Sequence, residues 1–213
     1  MMLQLALLAV PGTLAVGSTA GFIKSDGKSN FVDEHGRVRI FHGSNRVQKA
    51  SPWYFSDMLD SESEFELMEK LGFSAVRLGF MWSGYNPAPG VFNQTYIDTI
   101  RTIVDKMAAR GVYTLLDMHE DVFSSKFCLY DGVPLWVANK SVPKHPFPWP
   151  LKGDCSARGW MENALTEAAA TAFQDLYDNT RGMLDDLSSF WAHAAQQFAN
   201  VSSVIGCDER KGT

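Results

Sequence analysis

The chain has 213 residues, of which 46% are hydrophobic and 20% charged, and its net charge is −5. That balance fits a folded domain and excludes disorder, collagen and coiled coil. The mild acidity offers nothing to a phosphate backbone, so nucleic acid is not an expected partner.

Met1 to Ala20 carries no charged residue, and Leu3–Val10 is apolar but for Gln4. The run is too short to span a bilayer, which needs ~20 residues. Ser18 and Ala20 satisfy the small-x-small cleavage rule, so residues 1–20 are expected to be a signal peptide. The expected destination is extracellular or lysosomal; the competing reading is an ordinary leader. Three Asn-x-Ser/Thr sequons, at Asn93, Asn139 and Asn200, agree with secretion and are the expected glycosylation sites. In a secreted chain Cys128 and Cys155 are expected to bridge, whereas without secretion they read as two buried thiols.

Arg37–His42, with Val38, Ile40 and Phe41, reads as the first strand, ending at Gly43-Ser44-Asn45. Ser61-x-x-Glu64 reads as a capping box ahead of a helical stripe of Phe65, Met68 and Leu71, which Gly72 closes. Phe73–Phe80 reads as a second strand, apolar on both faces in the manner of parallel strands covered by helices. Asn93 or Thr95 can cap the next helix, whose Ile97, Ile100, Val104 and Met107 recur at helical spacing. After Gly111, Val112–Met118 is the third strand.

Val122–Asn163 has no periodicity and is rich in Pro and Trp, including Trp136, Trp149 and Trp160. Long stretches of this kind are usually functional, and this one is read as an aromatic, disulfide-tied wall of a cleft. Leu165 to about Phe198 reads as helix in two pieces around Thr180–Leu184, and Val201–Gly206 opens a fourth strand. Helix, stop residue and strand thus recur at Leu71-Gly72-Phe73, Arg110-Gly111-Val112 and Ala199-Asn200-Val201. Successive βα units imply a parallel sheet. No Gly-x-Gly-x-x-Gly phosphate turn is present, which favours a barrel over a doubly wound sheet. The expected class is therefore α/β, a partial (β/α)8 barrel of roughly the first three to four βα units.

Polar and aromatic residues gather where the strands end: Asn45, Trp82 and His119-Glu120-Asp121. Arg77, inside an apolar strand, must meet a carboxylate or point outward to a helix-face acid. Asp117 precedes His119 by two residues and shares its face. A zinc site of the His-Glu-x-x-His type fails because position 123 is Phe, and no metal or cofactor is expected. Read alone, His119 serves structure as readily as chemistry, Trp136 reads as loop packing, and Lys49 as a solvated side chain.

Together these segments resemble a known family. Phe41-His42-Gly43-Ser44-Asn45-Arg46-Val47-Gln48-Lys49, Ala75-Val76-Arg77-Leu78-Gly79-Phe80-Met81-Trp82, Pro87-x-Pro89-Gly90, Tyr96 and Leu116-Asp117-Met118-His119-Glu120-Asp121-Val122-Phe123-Ser124 stand in the order found in glycoside hydrolase family 5. The last run, with Gly132-x-Pro134-x-Trp136, is similar to the endoglycoceramidases. The resemblance runs from about Gly21 to Gly206. It implies retaining hydrolysis of the bond between oligosaccharide and ceramide in glycosphingolipids. It also implies that Arg77 and His119 form the floor of the catalytic subsite and that Lys49, Asp121 and Trp136 contact sugar.

Retention needs two carboxyl groups ~5–5.5 Å apart. By resemblance the acid/base Glu follows an Asn at the end of strand four and the nucleophile ends strand seven. No Asn-Glu dipeptide occurs in the chain, and residues 207–213 are expected to be a tail foreign to the family, with Cys207 in it. The catalytic pair is therefore expected to be absent and this chain alone inactive. A non-catalytic secreted sugar- or glycolipid-binding form and a cellulase-like specificity are the alternatives. Expected partners are a glycosphingolipid or oligosaccharide, membrane glycolipid by peripheral contact, and a second copy through the open barrel edge.

Overall fold

A computed structural model describes residues 20–128 and 132–209. The expected signal lies outside the described residues except for Ala20. Beyond it the chain is held at once: Tyr113 Oη donates to the Gly21 carbonyl at 3.0 Å, and Ser202 Oγ to that of Ala20 at 2.6 Å.

Three two-residue strands, β1 (Lys24–Ser25), β2 (Phe31–Val32) and β3 (Val38–Arg39), form an antiparallel meander. A parallel sheet follows in the order β4-β5-β6-β7, with β4 at Gly43–Arg46, β5 at Ala75–Gly79, β6 at Tyr113–Met118 and β7 at Val204–Glu209. Helices α1 (Asp57–Asp60) and α2 (Ser63–Lys70) join β4 to β5, and α3 (Trp82–Tyr85) and α4 (Gln94–Ala108) join β5 to β6. Between β6 and β7 lie α5 (Leu135–Ala138), α6 (Trp160–Ala164), α7 (Glu167–Tyr177) and α8 (Met183–Phe198). This is the α/β architecture expected of part of a (β/α) barrel. Among the described residues no helix is long and apolar enough to cross a membrane.

The sheet has two unlike sides. Val76, Leu78, Leu116 and Met118 pack with Ile97, Ile100, Val104 and Met107 of α4 in one continuous buried cluster that also holds Phe65, Met68 and Phe190. Asn93 caps α4, its Oδ1 accepting from the Tyr96 N–H at 3.1 Å. The opposite side of the sheet carries Asn45, Ala75, Arg77, Leu115 and Ile205, which help line a cavity of about 440 Å³.

Three boundaries differ from the sequence reading. The strand that enters the parallel sheet is Gly43–Arg46, not Arg37–His42, whose Ile40 is 86% exposed. Gly43 sits so close to β5 that any side chain there would collide with the Ala75 carbonyl. Val38 and Arg39 belong instead to the meander. Second, Ser61 and Glu64 form no capping box, because Ser61 is the C-cap of α1 and the N-cap of α2 is Glu62. Glu64 turns to the guanidinium of Arg46, a half-buried cation that needs a counter-charge. Third, β7 continues past Gly206, and Cys207, Asp208 and Glu209 pair with Leu116, Asp117 and Met118. Residues 207–209 of the expected foreign tail thus extend a ladder, and residues 210–213 lie outside the described residues.

The described part of the stretch between β6 and α7 is more ordered than its composition suggests. It sends Phe123, Phe127, Val133 and Val137 into the core. Lys126 Nζ donates to the Ala138 carbonyl at 3.0 Å, closing α5. His145 stacks on Trp149 with 4.2 Å between ring centres and meets Glu167 through Nδ1 at 2.6 Å. Cys128 and Cys155 form a disulfide with 5.5 Å between their Cα atoms, across a separation of 27 residues. Closing a loop of that length stabilises by about 3–3.5 kcal/mol in the chain-entropy model. Replacing both cysteines by Ser is expected to lower unfolding stability by that order, read by denaturant titration. A loss below about 1 kcal/mol would mean that the loop is held by its aromatic packing alone.

Glu62 offers a test in acid. Hydrogen bonds from Lys106, at 3.0 Å, and Arg110, at 2.6 Å, hold its carboxyl below the ordinary carboxylate range. A depressed carboxyl contributes stability that is present above its unfolded pKa and lost as pH falls through the lower folded one. Thermal unfolding followed downward from pH 5 should therefore show a flatter acid limb in Glu62→Gln than in the wild type, and identical limbs would exclude the linkage.

Candidate functional site

Parallel strands expose their C-terminal ends on one edge, and there the polar residues meet. Arg77 on β5 lies level with Leu115 of β6. Its long side chain runs up the interior side of the sheet toward residues two positions further on. Nη2 donates to Asp117 Oδ1 of β6 at 2.5 Å, and Nε donates to Asp208 Oδ2 of β7 at 2.7 Å. Asp208 stands opposite Asp117 in the ladder. One guanidinium therefore ties three strands through two carboxylates, the charge-assisted geometry that suits a planar fork. Arg77 is only 16% exposed and Asp117 fully buried, so each is the other's main compensation for lost water.

Asp117 uses its second oxygen as well, with Oδ2 3.0 Å from His119 Nδ1. The other ring nitrogen, Nε2, lies 3.2 Å from Asp121 Oδ1, just beyond the strand. Asp121 Oδ2 in turn takes the ammonium of Lys49, which follows β4. The result is a continuous chain of Asp208, Arg77, Asp117, His119, Asp121 and Lys49, supplied by all four parallel strands or the turns that follow them. It holds two permanent cations and three carboxylates. A surplus of negative charge disfavours phosphate, while the alternation of donors and acceptors suits a neutral ligand with many hydroxyls. Among the described residues no three of His, Cys, Asp and Glu gather as metal ligands.

Lys49, Arg77, His119 and Asp121, all singled out in the sequence, thus converge. Trp136 makes its contacts elsewhere: Nε1 donates to the Asn86 carbonyl at 3.1 Å, its ring meets Trp82 edge-on, and Lys140 Nζ lies 5.4 Å from its centre. Trp82 is core, stacked on Phe190. Asp208 falls in the expected foreign tail, yet its carboxylate joins the network on Arg77. No local signal marks it, because Asp208 stands on β7, two strands from Arg77, and only the assembled sheet brings it to the guanidinium. Asn93, Asn139 and Asn200 are all exposed.

Comparison with known proteins adds to this geometry. A family model described as cellulase (glycosyl hydrolase family 5) matches residues 32–208. The chain is 42% identical over 193 residues to an endoglycoceramidase of Cyanea nozakii, covering 82% of this chain and 38% of the relative. It is 40% identical over 209 residues to an endoglycoceramidase of Hydra vulgaris, with coverages of 89% and 40%. Among solved structures, endo-glycoceramidase II from Rhodococcus sp. in its ganglioside GM3 complex superposes with a TM-score of 0.69 at 26% identity, covering 84% of this chain and 41% of that one. The chain thus spans about two fifths of the length of the curated relatives it matches.

Removing Asp117 leaves the buried Arg77 guanidinium with Asp208 alone, so the loss should be about 3 kcal/mol, the lower end of what breaking a buried pair costs. Asp117→Ala is expected to lower stability by that amount in a denaturant titration. The double change Arg77→Met with Asp117→Leu should cost less than the single one, because Asp208 is half-exposed and can rely on water. A double variant weaker than the single would show that the pair contributes through something other than charge compensation.

Proposed function

We propose that this chain, which belongs to glycosyl hydrolase family 5, forms the sugar-binding part of an active site that cleaves the bond between oligosaccharide and ceramide in glycosphingolipids with retention. One observation carries the reading: the chain of ionic hydrogen bonds from Asp208 to Lys49 sits on the C-terminal edge of the parallel sheet, where (β/α) barrels place their chemistry. The endoglycoceramidase relatives support the choice of substrate class.

In this reading Arg77 and His119 form the floor beneath the sugar ring next to the scissile bond. Asp117 fixes both, orienting the guanidinium with one oxygen and the imidazole with the other. Asp121 and Lys49 face the outer sugar hydroxyls as acceptor and donor. Trp136, half-buried on α5, supplies an apolar surface for a ring. The carboxylates of this network are bound to cations or to His119 and serve as counter-ions. Double displacement needs one carboxyl as acid/base and another as nucleophile. Since the sequence has no Asn-Glu dipeptide, these residues alone bind sugar without turning it over.

We extend the proposal to the setting. The apolar leader, the disulfide and three exposed sequon asparagines support secretion or delivery to a lysosome. Trp149, Trp160, Met161 and Leu165 are exposed near one another in sequence, which supports peripheral contact with a glycolipid surface. Among the described residues β4 and β7 each have one unpaired edge, which supports pairing with a second copy.

The test is titration of the purified chain with a ganglioside oligosaccharide, alongside a turnover assay on the intact glycolipid. Saturable binding that falls at least tenfold in Arg77→Ala and in His119→Ala, without turnover, is the expected result. Absence of binding would sink the reading. Turnover abolished by either change would show instead that the full catalytic apparatus lies within these residues.

A further inference from the structure

A second cavity, of about 270 Å³, opens on the rim between the loop after β4 and the start of α4. Pro52, Trp53 and Tyr54 wall one part of it, and Ser83, Thr95 and Thr99 join the lining, where the Ser83 and Thr99 hydroxyls donate to the Gly132 and Thr95 carbonyls and keep their oxygens as acceptors. Asn93 lies in the same lining. This mixture of aromatic surface and hydroxyl groups matches the two kinds of face that a pyranose presents, an apolar one and a rim of polar substituents. The cavity shares no residue with the Arg77 network.

Asn93 is also the sequon asparagine whose side chain is held in place. Its Oδ1 is committed to the Tyr96 N–H as the cap of α4. Among the described residues its Nδ2 makes no hydrogen bond, and Nδ2 is the atom that a glycosidic linkage uses. A sugar attached there leaves the capping oxygen untouched, so modification and helix capping are compatible. The same cap fixes the side chain of a residue that lines the cavity.

We propose that Asn93 carries an N-linked glycan whose first N-acetylhexosamine seats in this cavity against Trp53 and Tyr54. In the attachment, Nδ2 loses one hydrogen as a proton and bonds the anomeric carbon of a lipid diphosphate-linked oligosaccharide, and the lipid diphosphate leaves with the bonding pair. Tethering then does the rest: a sugar one bond from the wall faces it at high effective concentration, so weak stacking is enough to keep it seated. The glycan would cover Trp53, whose backbone carbonyl accepts from Tyr96 Oη at 3.3 Å, and so staple the β4 loop to α4. The inference rests on the secretion reading given above.

The test uses the full chain expressed in animal cells in two forms, one unaltered and one with an established secretory leader ahead of Met1. Glycopeptide mapping reads occupancy, and a glycan-removing amidase reads release from the native protein. We expect the Asn93 glycan to be released at least tenfold more slowly than those at Asn139 and Asn200, and at the same rate once the protein is denatured. Trp53→Ala should bring Asn93 to the rate of the other two. Thr99→Phe, which fills the cavity without removing its wall, should do the same and serves if Trp53→Ala is not secreted. Glycans on the leader-bearing form alone would refute secretion and leave the seat to be judged on that form. An empty Asn93 in the leader-bearing form, or release from the native protein as fast as at the other two sites, overturns the proposal.

Discussion

Burying a guanidinium in a parallel sheet constrains everything around it. Arg77 occupies a position where the neighbouring side chains on its strand are Val76 and Leu78, both buried. Its charge is tolerated because the interior side of the sheet opens toward the C-terminal edge and because β6 and β7 each bring a carboxylate within reach. Those carboxylates come from points 40 and 131 residues away in sequence. The register of β6 against β7 is therefore an electrostatic requirement as well as a backbone one. A slip of one residue would turn Asp117 or Asp208 to the helix side, into an apolar cluster.

The same arrangement explains why the site is anchored as it is. Asp117 is fully buried and bonds both Arg77 and His119, so neither side chain can change rotamer without stranding charge. Toward the rim the constraints relax: Lys49 is half-exposed and meets Asp121 near solvent. Rigidity beneath and adaptability above is a sound arrangement for holding one sugar ring while accepting variation further along the oligosaccharide. The cavity below Arg77, by contrast, is lined mainly by carbon, with Phe31, Phe41 and Leu115 among its walls.

The long segment between β6 and α7 shows how a chain without periodicity can still be ordered. Its order comes from single anchors: aromatic rings driven into the core, a lysine capping a one-turn helix, the stack of His145 on Trp149, and the disulfide. None of these has a period, so hydrophobic patterning is blind to them. Ser83 ties the segment to the neighbouring loop by donating through Oγ to the Gly132 carbonyl at 3.0 Å. Gly132 takes a positive φ of 76° where a side chain would collide with Glu120.

Sequence alone determined the alternation of strand and helix, because it is written in local spacing. The stripe of Ile97, Ile100, Val104 and Met107 and the stops at Gly72 and Gly111 act over a few residues, and their meaning does not depend on the rest of the fold. The candidate site was legible in part for the same reason: Asp117 and His119 share a face by strand parity, and Arg77 stands out against apolar neighbours. Only the tertiary structure decided where the first parallel strand begins, since Gly43 is chosen by its approach to Ala75 rather than by the apolar run before it. It also decided the fate of Glu64, which gave up a local cap for a distant guanidinium, and the place of Asp208, whose value lies wholly in a partner on another strand. Contacts between charges far apart in the chain leave no local trace, because what selects them is the loss of water on burial, and burial belongs to the assembled sheet.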